Sequence, residues 1–156
     1  MAKIVLTDTS KTRQKQLTVA QLHKRLTPIF NHWVRLRDTY IIKPFVLGET
    51  REPGTRWGIC ISCNRELPYE QLQAGHFVPA HFYYLKYDEL NVNAQCQQCN
   101  GYRKSNPWGY MLGLAEKYDK SVPYELATRM HWKKQYAVSG LLEMIDIYKG
   151  KVGEME

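Results

Sequence analysis

The sequence predicts an α+β fold, a small ββα unit set between N-terminal and C-terminal helices. Three observations predict it. All four cysteines of the 156-residue chain fall in two Cys-x-x-Cys pairs, Cys60/Cys63 and Cys96/Cys99. Between the pairs, two stretches alternate apolar and polar residues with the period of strands. On both sides of this region apolar residues recur at steps of three and four, the period of helices.

Residues 1–16 read as a flexible basic arm, since 7–16 contain no apolar residue. An N-terminal helical region, 17–42, begins at Thr18, with Gln21 three positions later as in a capping box. Leu22, Leu26, Ile29, Phe30, Trp33, Leu36 and Tyr40 form its apolar stripe. Pro28 is expected to bend or split the helix. Lys24, Arg25, Arg35 and Arg37 lie off the stripe, where they solvate the helix or face a phosphate backbone. Pro44, Gly48, Pro53, Gly54 and Gly58 make 43–58 loop or short extended pieces.

The core spans 55–107. Strands are expected at 73–79 and 90–95, then a short helix over 97–105 that Pro107 ends. The C-terminal helices fill 108–150. Trp108 to Tyr118 is one. Ser121 and Pro123 start another that carries Leu126, Met130 and Trp132. Ser139 caps the last, with Leu141, Leu142, Ile145 and Tyr148 buried and Gly150 as its stop.

A hydrophobic fraction of 44% and an aromatic fraction of 12% exclude a largely disordered chain. No apolar run approaches the roughly 18 residues of a membrane span, so no membrane partner is expected. The opening residues hold too short an apolar stretch for a signal peptide, and a cytoplasmic location is expected. The net charge is +7, and residues 1–40 carry 8 Lys and Arg against 2 Asp and Glu. A surplus packed into one segment favours a polyanion such as nucleic acid over a merely solvated face.

Each Cys-x-x-Cys turn presents two sulfurs to one point, and two such knuckles complete a tetrahedral thiolate site for zinc. Four thiolates leave no open position, so Cys60, Cys63, Cys96 and Cys99 are expected to hold a structural zinc. The 32 residues between the knuckles leave room for a β-hairpin with a long loop. His76 ends the first strand and Asn100 directly follows the fourth cysteine, so the imidazole and the amide are expected to face each other across the unit. Such a pair can act on a phosphodiester. Neutral His takes a proton from water, which attacks phosphorus. An oxygen-ligated divalent ion stabilises the departing oxygen, and Arg103 or Lys104 holds the adjacent phosphate. His81-Phe82-Tyr83-Tyr84, in the hairpin loop, reads as an apolar plug or as a base-stacking wedge.

The order His76-x-x-Pro79, Asn91, Cys96-x-x-Cys99-Asn100 and Lys104 resembles the HNH, or ββα-metal, nucleases. The sequence more closely resembles the NinG (Rap) recombination-endonuclease family of lambdoid phages. The residues that carry this are Phe30 to Asp38, Cys60 to Cys63, Ala74-Gly75-His76, Asp88 to Val92 and Gln95 to Asn100. The resemblance implies a nuclease for Holliday junctions and D-loops, of phage or prophage origin in a bacterial host. It implies His76 as general base, Asn91 as brace of the loop that aims the imidazole, and Asn100 as ligand of a catalytic Mg²⁺ or Mn²⁺. Gly75 stands where the common HNH pattern has an Asp or His ligand. Asp88, Glu89, His81 or His76 itself would replace it. Symmetric cutting of a junction needs two active sites, so a homodimer is expected. The rival expectation is a non-catalytic zinc module that binds DNA or recruits partners.

Overall fold

The computed structural model describes residues 17–101 and 105–156. The expected arm 1–16, and with it Arg103 and Lys104, lies outside the described residues. These comprise five α-helices and two small antiparallel sheets: α1 (Val19–Arg37), β1 (Thr39–Ile41), β2 (Arg56–Ile59), β3 (Glu66–Pro68), β4 (Leu72–His76), β5 (Val92–Cys96), α2 (Gln97–Asn100), α3 (Pro107–Lys117), α4 (Val122–Arg129) and α5 (Val138–Gly153). The class is mixed α and β, as expected. No helix among the described residues is long and apolar enough to cross a membrane.

The capping box at Thr18 forms: the Thr18 hydroxyl accepts from Gln21 N, and Gln21 Oε1 accepts from Thr18 N. Pro28 does not split α1, which runs through it as one helix. A helix-interior proline costs about 3 kcal/mol. Leu22 and Leu26 before it, and Phe30, Trp33 and Val34 after it, are buried in one cluster. At about 1.5–3 kcal/mol each, those five side chains outweigh the break. Tyr40 is not on the stripe. The helix ends at Arg37, and Tyr40 is an exposed residue of β1 paired with Trp57 of β2.

A three-stranded sheet in the order β1-β2-β3 is not among the expected elements: β1 lies at the end of the expected helical region, β2 begins in the stretch read as loop or short extended pieces, and β3 lies in the core. Its strands are three or four residues long, too short to declare themselves by alternation. The second sheet pairs β4 with β5, from Leu72 opposite Cys96 to His76 opposite Val92. It ends at His76 rather than Pro79, because the chain beyond bends away over the loop. Helix α2 stops at Asn100, and Pro107 opens α3 at its first turn rather than only closing the element before it. Ala137, not Ser139, is the N-cap of α5, and Gly150 lies inside that helix. Leu142 and Trp132 are exposed, the latter beyond the end of α4.

Two apolar clusters make up the core around the β4-β5 hairpin. One joins α1 to α5 through Leu22, Phe30, Trp33, Leu141, Ile145 and Tyr148, with Val92 of β5. The other joins α3 and α4 to the β4-β5 loop through Tyr110, Leu114, Leu126, Val78 and Leu85. Helix α3 reaches the first cysteine knuckle closely because Gly109 and Gly113 lack side chains. A Cβ on either would meet the backbone oxygen of Ser62 or Ile61 at 1.9 or 2.0 Å.

Candidate functional site

The first knuckle turns between β2 and β3, and the second joins β5 to α2. Within the first, Cys60 N donates to Arg65 O and Asn64 N to Cys60 O, with Asn64 in the left-handed region at φ +56°. Asparagine tolerates that conformation better than most residues. The four sulfurs lie within 4.8 Å of one another, and Cys63 Sγ and Cys96 Sγ are 3.9 Å apart. Sulfurs bonded at about 2.3 Å around a tetrahedral zinc stand about 3.8 Å from each other. The donor set thus fits a metal such as zinc. It ties the β2-β3 turn to the β4-β5 ladder and α2, and so joins the two sheets.

Arg65, which the spacing of cysteines did not single out, completes this centre. Its guanidinium donates to Cys63 Sγ at 3.5 Å, to Cys96 Sγ at 3.2 Å and to Gln98 Oε1 at 2.8 Å. Burial pushes the Cys63 thiol up, but the Arg65 hydrogen bond outweighs it and the thiol falls to about 6. The Cys96 thiol is also lowered: burial raises it, and backbone donation from Cys99 with Arg65 reverses the sign. Cys60 and Cys99 are pushed up by burial, Cys99 to about 12. A zinc ion there would carry four thiolates, and Arg65 offsets part of the excess negative charge.

Successive residues of a strand point to opposite faces. Gln73 and Gly75 share one face of β4. On it, Asn100 Nδ2 donates to Gln73 Oε1 at 2.9 Å. A Cβ on Gly75 would meet Gln95 Oε1 at 2.1 Å and Asn100 Oδ1 at 3.0 Å. Gln95 is buried, and its Nε2 donates to Ser62 Oγ and to Cys99 O, one in each knuckle. Gly75 is therefore the residue that leaves room for the amide linking the two knuckles. An acidic side chain has no space there.

Ala74 and His76 take the other face, where Ala74 packs against the α1-α5 cluster. His76 and Asn100 consequently do not face each other, contrary to expectation. Instead, His76 Nε2–H donates to Lys86 O in the loop at 2.9 Å. Burial holds the imidazole below its ordinary value; the bond to the Lys86 carbonyl works against this and the Lys86 ammonium works with it, and the net direction favours the neutral ring. Asn91 is fully buried and braces this loop. Its Oδ1 accepts from Val78 N at 2.7 Å, and its Nδ2 donates to Val78 O and Leu85 O. Under the ladder, the buried Tyr110 hydroxyl donates to Gly75 O at 2.7 Å, next to His76.

Neither carboxylate expected to replace the ligand at Gly75 reaches it. Asp88 pairs with Arg129 at 3.1 Å and accepts from Leu90 N and Asn91 N. Glu89 accepts from Tyr148 Oη and Lys151. Among the described residues, the four cysteines form the one cluster of three or more His, Cys, Asp or Glu groups placed to hold an ion.

Arg37 is turned inward, not toward a phosphate backbone. It donates to both oxygens of Asp38 and to the carbonyls of Glu89 and Val92. Asp38, with 5% of its side chain exposed, also accepts from Lys117 Nζ and Ala94 N. Burial raises the Asp38 carboxyl, but Arg37 and Lys117 more than reverse that. The motif around residues 30–38 thus holds the end of α1 to β5 and α3. Arg35 stacks its guanidinium 4.3 Å from the Tyr69 ring centre. A groove of about 700 Å³ is lined by Arg37, Asp38, Tyr40, Ile59 and Lys117, away from His76. Within it, Arg37 and Lys117 are both paired with Asp38.

The family model described as Bacteriophage Lambda NinG protein matches residues 6–156, and the chain belongs to that family. No curated protein and no solved structure matches it.

Proposed function

Proceeding from membership of the NinG family, we propose that this chain is a metal-dependent, structure-specific DNA endonuclease of the HNH kind. Its substrates are branched recombination intermediates, Holliday junctions and D-loops. The observation that carries the reading is the His76 imidazole. It ends the first strand of a hairpin that runs into a cysteine knuckle and short helix, its N–H is fixed on Lys86 O, and burial favours its neutral form.

In this reading Nδ1 of His76 takes a proton from water. The resulting hydroxide forms a bond to phosphorus while the bond from phosphorus to the 3′ oxygen breaks, and that oxygen takes a proton from solvent. Such a base contributes about 10²–10⁴-fold. Asn91 acts through His76, as a positioning residue that fixes the loop carbonyl on which the imidazole rests. A zinc held by Cys60, Cys63, Cys96 and Cys99 would have all four positions filled by thiolates and would serve the fold rather than the chemistry.

A resident Mg²⁺ or Mn²⁺ does not fit the surroundings of Asn100. Gln73 and Gln95 are amides, and hard divalent ions are usually held by at least one carboxylate. Asn100 would be at most one ligand of an ion otherwise held by water and by phosphate oxygens of the DNA. Arg35, Arg103 and Lys104 would grip the backbone from outside the chemistry, and a homodimer would supply the second cut. A phage enzyme of this kind would work in the cytoplasm of the bacterial host.

The amides of Gln73 and Gln95 beside Asn100, with no carboxylate cluster there among the described residues, favour one alternative, a zinc module that binds DNA without cutting it. Cleavage of a four-way junction and a linear duplex, with and without added Mg²⁺ or Mn²⁺, separates the two. The nuclease reading expects junction cleavage that His76→Ala abolishes while junction binding persists. Binding without metal-dependent cleavage leaves the alternative.

A further inference from the structure

The hairpin loop between β4 and β5 meets the segment that joins α4 to α5, and the two build one aromatic and cationic surface beside His76. The loop is only partly the expected plug. Phe82, Tyr84 and Leu85 pack against the α3-α4 cluster. Tyr83 turns outward and is 52% exposed, and Trp132, which meets the neighbouring Tyr84, is 54% exposed. The two segments are held together. The Tyr136 hydroxyl donates to Tyr83 O at 2.8 Å, and the Tyr84 and Trp132 rings meet edge to face at 5.1 Å. Lys86 Nζ lies 5.5 Å from the centre of the Tyr83 ring, and Lys134 Nζ lies 5.9 Å from that of Tyr84.

The charge of this surface has one sign. The loop's two carboxylates are consumed in pairs, Asp88 with Arg129 and Glu89 with Lys151. Among the described residues, Lys86, Lys133 and Lys134 form no ion pair. Exposed rings interleaved with unpaired lysines suit a chain of bases and phosphates. A base offers its flat face to a ring only when it is outside the double helix, so duplex DNA cannot use Tyr83 and Trp132 in this way. The backbone carbonyl of Lys86 is also the partner of His76 Nε2. A strand stacked on Tyr83 would thus run beside the imidazole.

We infer that this surface binds unpaired nucleotides, stacking bases on Tyr83 and Trp132 and holding phosphates with Lys86, Lys133 and Lys134. The inference rests on the proposed nuclease reading for its purpose, which is to favour branched over linear DNA. It does not need that reading for the binding itself.

The test is fluorescence anisotropy of a labelled 15-nucleotide oligo(dT) and of a duplex of equal length, without added Mg²⁺ or Mn²⁺. The full-length chain is compared with Tyr83→Ala/Trp132→Ala, and thermal melts report folding. Each lost ring should weaken oligo(dT) binding by about 5- to 150-fold. Duplex affinity should change less than about two-fold, and Trp132→Phe should keep most of the binding. Independently of the rings, Lys133→Gln/Lys134→Gln changes only exposed side chains. It should flatten the log–log salt slope for oligo(dT) by about 1.4, at about 0.7 per contact.

Wild-type protein that ignores oligo(dT), or variants that bind it as wild type does, overturns the inference. So does an equal loss for oligo(dT) and duplex. Stacking that disappears in the variants while no DNA is ever cut supports this inference and defeats the nuclease reading. Junction cleavage that persists with unchanged branch preference and unchanged oligo(dT) affinity in the ring variants does the reverse.

Discussion

The two sides of the β4 strand carry different chemistry within five residues. On one, Gln73, Gly75, Gln95 and Asn100 bring together amides and a bare backbone, tied to both cysteine knuckles through Ser62 and Cys99. On the other, Ala74 leans on α1, and His76 sits under the loop that carries Lys86 and the aromatic surface. The first side contains dipoles that link the two cysteine knuckles, and the second contains the buried imidazole. Alternation along a strand lets one short element serve both, with the backbone as the wall between them. If His76 serves as the proposed base, it gains from this, since its strand is anchored on the opposite face by amide bonds that do not change with pH.

The largest effect on this comparison should come from the metal. Cys96→Ser should unfold or aggregate the protein and abolish both sides together. A structural zinc site is worth about 10–16 kcal/mol at pH 7, as much as the whole stability of a domain. Elemental analysis should give one zinc per chain. Metal-free protein with an unaltered thermal melt would show that the knuckles fold without it.

On the His76 side alone, the nuclease proposal expects His76→Ala to lower junction cleavage by about 10²–10⁴-fold, with zinc content and gel-shift affinity near wild type. Wild-type cleavage by that variant would remove the hairpin from the chemistry. On the scaffold side, Gly75→Ala should cost about 1–3 kcal/mol, because its methyl meets Gln95 Oε1 and the buried amide must move. An unchanged melting temperature would mean that Gln95 does not stitch the knuckles.

The pH dependence sharpens the contrast further. His76 is held below 6.5 by burial, so its proton is bound more weakly in the folded chain than in the unfolded one. As a base it should be fully active above about pH 6.5. Activity should then fall as pH drops through its lowered value, and the stability it contributes is lost over the same acid range. A limb that rises only above pH 7 would assign the base to another group. The smallest effect is expected of Asn100→Ala, whose single amide bond to Gln73 is exposed. Cleavage should fall by less than in His76→Ala and recover with added Mn²⁺. An unchanged Mn²⁺ requirement would take Asn100 out of contact with the ion.

Features written in neighbouring residues were legible without coordinates. The Thr18–Gln21 capping box, the α1 stripe, the two knuckles, and the strand pair between them all depend on spacings of two to four residues. Local geometry converts those spacings directly into shape. The cysteines were plainest, because thiols paired at that spacing and used nowhere else have few other purposes. Pro28 leaves α1 unsplit because the five buried side chains around it outweigh its cost.

What only the tertiary structure decided is where distant pieces meet. Arg37 resembled a phosphate contact until Asp38 and the carbonyls of Glu89 and Val92 closed around it. Arg65 had no visible partner until the two knuckles converged. Gly75 looked like a missing ligand until Gln95, twenty residues on, occupied its space. His76 and Asn100 looked like partners until the pleat of β4 set them on opposite faces. In each case the deciding term is contact between groups far apart in the chain. Residue type sets what such a group can do, and packing alone sets what it meets.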